Sequence, residues 1–133
     1  MVRVKVVPND SKNVAKAIII DDNKRVLFLK RSKHADKFAG EWDLPGGHIH
    51  VGEDTMIGLK REVREETGLE VGECSFVGKV ENIEFFSCMY TNKPVKISNE
   101  HTGFRFLDKR NMDIDGKFEK MALRALEEIN DRH

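Results

Sequence analysis

Two stretches near the start of the chain have the apolar pattern of β-strands. Val14–Ile20 and Arg25–Arg31 are each rich in β-branched or large apolar side chains. The polar segment between them, Asp21–Lys24, has the length and composition of a hairpin turn. An earlier segment, Val2–Val7, alternates apolar and basic residues with a period of two and predicts a half-exposed edge strand. The N-terminal part of the chain is therefore predicted to form β-sheet.

Residues 32–52 show no sustained hydrophobic periodicity. They include a proline and four glycines, which are Pro45, Gly40, Gly46, Gly47 and Gly52. This composition predicts a long loop, and long loops in small domains are usually functional. Within it, Lys37 is a candidate to contact a phosphate and Phe38 is a candidate to stack on a base.

Two segments have the periodicity of α-helices. Asp54–Thr67 starts at an acidic pair, which suits the positive end of a helix, and is followed by Gly68, a typical terminator. Lys117–Asp131 is strongly amphipathic, and we expect its apolar stripe to be buried in the core. The stripe consists of Phe118, Met121, Ala122, Ala125, Leu126 and Ile129.

Further strands are predicted between the two helices, around Glu70–Val80 and Ile83–Tyr90 and at Phe104–Leu107. Strands before and after a central helix, with a second helix closing the chain, predict a mixed sheet covered on both faces. No repeat or linker divides the sequence. We therefore expect a single α/β domain over residues 1–133.

The composition is that of a soluble globular protein. The chain has 133 residues, of which 35% are charged and 39% hydrophobic. The longest apolar runs, such as residues 17–20 and 26–29, are too short for a membrane-spanning helix, and the polar N-terminal residues do not resemble a secretory signal. Cys74 and Cys88 lack a CxxC spacing and are too few for a disulfide scaffold. We expect a cytoplasmic protein whose two thiols are buried and unreactive.

The charge is balanced overall but unevenly distributed. With 23 basic and 23 acidic residues, the net charge of zero predicts no general affinity for nucleic acid or acidic membranes. Residues 1–40 hold ten basic and four acidic residues, whereas residues 41–73 hold three basic and nine acidic residues. A bound divalent cation would neutralise this acidic stretch; a solvated helix face is the alternative reading.

The acidic residues of the first helix share one face. At 100° per residue, Glu62, Glu65 and Glu66 lie together, and Gly58 lies on the same face one turn earlier. Like charges at this spacing repel, and a glycine weakens a helix. Both features therefore destabilise the helix at the same place. Function is usually found at such places. Clustered carboxylates suit Mg²⁺ or Mn²⁺, and Arg61 lies one turn before Glu65, where it can pair with it.

The full spacing pattern around this helix resembles the Nudix box. Nine positions match over residues 47–69: Gly47, Glu53, Arg61, Glu62, Val63, Glu65, Glu66, Gly68 and Leu69. The preceding residues 42–46 (WDLPG) look like the usual lead-in to that box. On these residues the chain is identified as a member of the Nudix hydrolase family, similar to MutT-like proteins.

The resemblance implies an α/β/α sandwich that hydrolyses a nucleoside diphosphate linked to a further group. It implies Mg²⁺, or Mn²⁺, as the cofactor. Carried over by position, Glu62, Glu65 and Glu66 would be metal ligands, and the backbone carbonyl of Gly46 or Gly47 would complete the coordination. The likeness to the family is highly specific for the fold and the metal site and weakly informative about the substrate.

The resemblance also implies roles in catalysis. Glu53 would join or orient the metal site, and Arg61 would position the glutamates. The general base in this family is sometimes a glutamate of the box, such as Glu65, and sometimes one from a later loop. Glu100 occupies a plausible late-loop position, with an ordinary loop carboxylate as the alternative.

Four residues are candidates for substrate contacts, each with a structural alternative. Arg31 ends a strand and would face a phosphate or solvent, and Trp42 would stack on a base or pack in the core. Phe85 and Phe86 alternate across a strand, which predicts one ring in the core and the other in the cleft; we take Phe85 as the cleft residue. His50 stands where many family members have an acidic residue, and it would face a phosphate or solvent.

The substrate is expected to be a small nucleotide. A chain of this size fits a MutT-like nucleoside triphosphate pyrophosphatase, and Phe85 lies where members specialised for ADP-ribose often carry a proline. Nucleotide sugars, dinucleoside polyphosphates and RNA 5′ ends remain alternatives. So does a non-catalytic nucleotide-sensing module, although such modules are expected to lose box glutamates. Monomer and homodimer both stay open.

Overall fold

The computed structural model describes residues 13–34 and 39–131 of the chain. The predicted edge strand Val2–Val7 and the loop candidates Lys37 and Phe38 lie outside these residues. Within them, no helix is long and apolar enough to cross a lipid bilayer.

Seven strands and two α-helices make up the described parts of the chain. In chain order they are β1 (Val14–Ile20), β2 (Val26–Arg31), β3 (Trp42–Asp43), β4 (Gly46–His48), α1 (Thr55–Thr67), β5 (Cys74–Val80), β6 (Ile83–Met89), β7 (His101–Leu107) and α2 (Lys117–Asp131). A short 3₁₀ helix, Lys109–Asn111, precedes α2.

The β1–β2 hairpin opens soon after its turn and divides the sheet into two halves. Within the described strands, Ile20 opposite Val26, beside the turn, is the one pair that joins β1 to β2. Beyond this point β1 pairs with β4 and, in parallel, with β6, which in turn pairs with β5. β2 pairs instead with β3 and β7. Because β3 and β4 are separated by only two residues, the segment 42–48 bridges the gap between the halves.

One helix covers each face of the sheet. α2 packs its apolar stripe on a core that includes Ile18, Phe28 and Phe85. α1 packs Leu59 and Val63 on a second core on the opposite face. Alternate residues of β1 therefore enter different cores, as expected for a strand covered on both sides. The predicted α/β/α sandwich with a mixed sheet is confirmed.

The element bounds follow the hydrophobic pattern except within the predicted loop. β1 spans the predicted residues, β2 starts one residue later, and β7 starts at His101 rather than Phe104. β3 and β4 lie inside the segment predicted as a loop. These strands have two and three residues, which is too short to show a period of two.

Candidate active site

The ends of α1 are fixed by capping interactions. Asp54 is the N-cap, and its carboxylate accepts a hydrogen bond of 2.9 Å from the Met56 N–H. Gly68 ends the helix in the left-handed conformation, with φ of 75°, and its N–H donates to the Arg64 carbonyl at 2.9 Å. The glutamates of the helix therefore keep defined positions along its axis.

Arg61 connects three of the box glutamates. Its Nε and Nη2 donate to the two carboxylate oxygens of Glu53 at 3.0 and 3.1 Å. Its Nη1 donates to Glu62 at 3.1 Å and to Glu65 at 3.4 Å, and Nη2 also donates to the His48 carbonyl at 3.3 Å. The bidentate pairing lowers the pKa of the Glu53 carboxyl to about 2 and raises the pKa of Arg61. This carboxylate is therefore ionised at any physiological pH.

Two glycines make room for these carboxylates. A Cβ at Gly58 would lie 2.8 Å from Oε1 of Glu53 and 2.7 Å from Cδ1 of Ile49. A Cβ at Gly47 would lie 2.6 Å from Oε1 of Glu62. All three distances are shorter than real Cβ contacts, so a larger residue at either position would displace the neighbouring side chain. The helix-weakening glycine noted in the sequence thus provides the space in which Glu53 reaches Arg61.

We expect Gly58→Ala to lower the free energy of unfolding by about 1–3 kcal/mol, because the added methyl overpacks the site. Helix propensity alone would predict the opposite sign, a gain of about 1 kcal/mol. Urea unfolding of the purified protein measures the difference. The control is Gly72→Ala, where a Cβ meets nothing within 4 Å. A Gly58→Ala variant more stable than the native chain would contradict the close contact with Glu53.

Glu62, Glu65 and Glu66 share one face of α1, called the glutamate face below. Glu66 is its buried member, with 9% of its surface exposed. Its Oε1 accepts a hydrogen bond of 2.9 Å from the Gly46 N–H. Burial raises the pKa of this carboxyl to about 7, with Glu62 and Asp43 adding to the rise and the Gly46 N–H and Lys16 opposing it. A carboxylate held in this way gains from a nearby positive charge, and cation binding would favour its ionised form.

A cleft of about 330 Å³ lies beside the glutamate face. It is lined by Glu62, Glu65, Glu66, Ser98, Asn99 and Glu100. The late loop is attached to the end of α1, because the Ser98 N–H donates to the Glu66 carbonyl at 3.3 Å and the Lys96 N–H to the Thr67 carbonyl at 2.8 Å. These bonds place the predicted late-loop carboxylate, Glu100, in the same cleft as the box glutamates.

A cluster of charged residues fills the gap between the two halves of the sheet. Lys16 of β1 donates to the Asp43 carboxylate at 3.1 Å and to the Leu44 carbonyl at 3.2 Å, and both charged side chains are buried. The Arg31 guanidinium lies 3.7 Å from the same carboxylate. His101 of β7 is also buried, burial lowers its pKa, and its Nδ1 has no hydrogen-bond partner among the described residues.

Arg31 was predicted from the sequence as a site residue, whereas the other three members of this cluster were not. A lysine in the middle of the apolar strand Val14–Ile20 was the available signal for Lys16. Nothing in the local pattern pointed to Asp43 or His101. Their strands meet only because the β1–β2 hairpin opens. The structure thus places Arg31 against Asp43 at the edge of the cluster rather than in free solvent.

Trp42 and His50 occupy different environments. Trp42 is half-buried on the α2 side, with the Arg105 guanidinium 4.2 Å and the Lys30 ammonium 5.9 Å from a ring centroid. His50 is exposed, its backbone N–H donates to Glu53 at 2.9 Å, and its Nδ1 lies 3.7 Å from the same oxygen. His50 thus helps to orient Glu53, whereas Trp42 already has a cation stacked on its ring.

Phe85 requires a correction. Its side chain is fully buried in the α2-side core and contacts Phe118, whose ring centroid lies 6.0 Å away. Phe86, on the opposite face, is also buried, in the α1-side core. The strand is covered by a helix on each side, so neither ring is left facing a cleft. Phe85 therefore has no surface with which to contact a substrate.

The donor set of the glutamate face suits a hard divalent cation. Carboxylate oxygens from Glu62, Glu65 and Glu66 line one cleft, and the side chain of Glu65 is 58% exposed and free to turn toward it. Among the described residues, no three acidic, histidine or cysteine side chains are already arranged to hold a metal ion. Arg61 now draws two of these carboxylates to its guanidinium. Cation binding therefore requires rotation of these side chains away from Arg61.

A family model for the NUDIX domain matches residues 11–131 of the chain. This chain is a member of the Nudix family. The match covers both half-sheets, both helices and the cleft with its glutamates. The expectation drawn from the nine positions of the box is confirmed.

Several known proteins are similar to this Nudix chain in sequence or in structure. A MutT-like protein of Streptomyces ambofaciens is 30% identical over 75% of this chain and 65% of its own length. The m7GpppN-mRNA hydrolase NUDT17 of Xenopus laevis is 40% identical over 48% of this chain, but only 22% of that protein is covered. The crystal structure of a MutT protein from Methanosarcina mazei has a TM-score of 0.68 and 26% identity, and the match covers 90% of this chain and 94% of that one. The chain therefore spans less than two thirds of the length of these two sequence relatives.

Proposed function

We propose that this Nudix protein hydrolyses a pyrophosphate bond in a nucleotide with the help of Mg²⁺ or Mn²⁺. The observation that carries the proposal is the cleft in which Glu62, Glu65 and Glu66 meet Glu100. Three carboxylates on one helix face and a fourth from a tethered loop provide both a cation site and a candidate base. An acidic helix that only faces solvent would not need a loop hydrogen-bonded to its end. Nor would it need Gly47 and Gly58, which leave space for the side chains of Glu62 and Glu53.

Each box residue has a role that follows from its contacts. Glu62, Glu65 and Glu66 would hold the cation, together with the backbone carbonyl of Gly47. When bound, the cation would neutralise the phosphates, polarise a phosphoryl oxygen and lower the pKa of a coordinated water. Arg61 keeps the carboxylates oriented while they are not bound to metal. Glu53 supports Arg61 through its two hydrogen bonds and acts as a positioning residue.

Glu100 is the candidate general base that the geometry favours. It lines the cleft, and its side chain makes no hydrogen bond or ion pair with the residues that the structure describes. Its backbone is held by the Ser32 N–H, which donates to the Glu100 carbonyl at 2.9 Å. Its carboxylate can therefore accept a proton from a water that attacks phosphorus, while the bridging oxygen leaves with the other phosphate. Glu65, exposed on the helix, is the second candidate.

The substrate that we propose is a nucleoside or deoxynucleoside triphosphate, as the MutT names of two similar proteins suggest. The MutT-like relative matches three quarters of this chain, whereas the mRNA-cap hydrolase matches less than half of it. RNA 5′ ends, nucleotide sugars and dinucleoside polyphosphates are the alternative substrates. The protein's net charge of zero gives no separate attraction to long RNA.

The test is phosphate release from a panel of nucleotides, with Mg²⁺ and with a chelator. The panel contains NTPs, dNTPs, oxidised dGTP, ADP-ribose, nucleotide sugars, dinucleoside polyphosphates and 5′-triphosphate or capped RNA, with added pyrophosphatase where needed. We expect a Mg²⁺-dependent activity that Glu65→Gln loses by at least about 100-fold while the fold is retained, since removal of groups that act at the reacting bond costs factors of this size. Equal turnover by the variant would contradict the assignment.

If no compound of the panel releases phosphate, a non-catalytic function becomes the favoured alternative. A folded protein that binds Mg²⁺ and nucleotide, yet releases no phosphate, would be a nucleotide-sensing module. Retention of every box glutamate argues against that reading, because a sensor has no need of a complete hydrolytic face.

A further inference from the structure

The two cysteines of the chain are cross-strand partners. Cys74 of β5 lies directly opposite Cys88 of β6 in the antiparallel register. Directly opposed residues in such a pair have Cα atoms about 4.5–5.5 Å apart, which falls within the range that a disulfide spans. Both thiols are free, both pack with the α1-side core, and the Cys74 thiol donates to the Gly72 carbonyl at 3.6 Å. The strand register thus places the two cysteines opposite each other at a Cα separation that a disulfide can span.

The two thiols differ in accessibility and acidity. Cys74 is half-buried on the edge strand, whereas Cys88 is only 3% exposed in the central part of the sheet. Interaction with the neighbouring Cys88 thiol lowers the pKa of the Cys74 thiol, and the ammonium of Lys60 acts in the same direction. The same contact and burial raise the pKa of Cys88. A solvent oxidant therefore meets Cys74 first, as the more acidic and more accessible thiol.

We propose that Cys74 and Cys88 form a modification site, a thiol pair that peroxides convert reversibly into a cross-strand disulfide. The sequence expectation was that both thiols are buried and unreactive; Cys88 is buried, whereas Cys74 is half-buried. The site lies on the α1 side of the sheet, where both cysteines pack with the core beneath α1. The proposal is independent of the proposed hydrolysis.

The chemistry balances in two steps. The Cys74 thiolate attacks one oxygen of hydrogen peroxide, the O–O bond breaks, and a sulfenic acid and one water form once the released thiol proton is taken up. The Cys88 sulfur then attacks the Cys74 sulfur, so that the S–S bond forms as the S–O bond breaks, and hydroxide leaves with the Cys88 proton as a second water. Two thiols lose two electrons to the peroxide, and a dithiol reductant reverses the change.

The test is mass spectrometry of the whole chain after exposure to hydrogen peroxide in the presence of a chelator. We expect the intact mass to fall by two hydrogen atoms and to return after dithiol treatment. Trypsin should then release residues 65–79 and 80–96 as one linked peptide from the unreduced protein, because Lys79 lies between the cysteines. Conversion of Cys74 to sulfinic or sulfonic acid without the linked peptide would overturn the proposal. So would disulfides found only between two chains.

Two variants serve as controls. Cys88→Ser removes the resolving thiol, and the sulfenic acid on Cys74 should then persist and react with dimedone. Cys74→Ser changes the half-buried member and is the less disruptive substitution, so it keeps the test available if the buried variant fails to fold. In Cys74→Ser, Cys88 should stay reduced under the same peroxide treatment. Oxidation of Cys88 at the native rate in this variant would show that its reaction does not pass through Cys74.

Discussion

Replacing Arg61 with methionine should lower kcat/KM by about 10–100-fold, the usual effect of removing a residue that orients metal ligands. Arg61 makes hydrogen bonds to Glu53, Glu62 and Glu65, and the methionine makes none of them. The carboxylates would then repel one another and lose their orientation. We also expect the Mg²⁺ concentration that gives half-maximal activity to rise, which a purely structural role would not cause.

Arg64→Met is the matched control for this prediction. Arg64 lies on the same helix, is exposed, and is 3.6 Å from Glu70 in an exposed ion pair of the kind that contributes little. Its replacement should change kcat/KM and the Mg²⁺ dependence by less than about twofold. Equal losses of kcat/KM in the two variants would mean that removing any arginine from α1 has this effect. Arg61 would then have no specific role in the site.

Replacing Glu66 with glutamine should make the metal-free protein more stable and at the same time inactive. The folded chain raises the pKa of this carboxyl from 4.5 to about 7, so above pH 7 it holds an ionised group that burial disfavours. Glutamine is neutral, and its carbonyl can still accept the Gly46 hydrogen bond. We expect the free energy of unfolding at pH 8 to rise by about 1–3 kcal/mol.

The sign of the pH dependence follows from the raised pKa. Between about pH 4.5 and 7, the folded state binds more protons than the unfolded state, so the contribution of Glu66 to stability falls as pH rises. The difference between Glu66→Gln and the native protein should therefore be small at pH 5 and largest at pH 8. Urea unfolding with a chelator, at both pH values, measures it.

Glu70→Gln is the control for this pair of measurements. The Glu70 side chain is 75% exposed, and its neutralisation should change stability by less than about 0.5 kcal/mol at either pH. A Glu66→Gln variant that is less stable than the native chain at pH 8 would contradict the buried, unfavourable carboxylate. Retained Mg²⁺-dependent activity in that variant would contradict its proposed role as a ligand.

Local patterns in the sequence were sufficient for most of the fold. The apolar run of β1, the stripe of α2 and the acidic start and glycine end of α1 each follow from side chains within a few residues. The spacing of Arg61, Glu62, Glu65 and Glu66 likewise fixes which side chains share a helix face. The box therefore identified the family and the face of the candidate site without any tertiary information.

Features that depend on distant parts of the chain were not predictable in this way. The buried contact of Lys16 with Asp43 exists because β1 and β2 separate, and no local pattern encodes that separation. The burial of Phe85 depends on α2, which follows it by more than thirty residues. Glu100 was selected from the sequence by its place in a late loop, but its position beside the glutamates depends on hydrogen bonds to the end of α1.

The central claim is that the glutamate face of α1 holds a divalent cation. Titration of Mn²⁺ into the native protein and Glu66→Gln, followed by loss of the free-ion electron paramagnetic resonance signal, tests it most directly. We predict saturable binding to the native protein that Mg²⁺ displaces, and an affinity at least about tenfold weaker in the variant. Equal Mn²⁺ affinity in the two folded proteins, or no binding to either, would contradict the account.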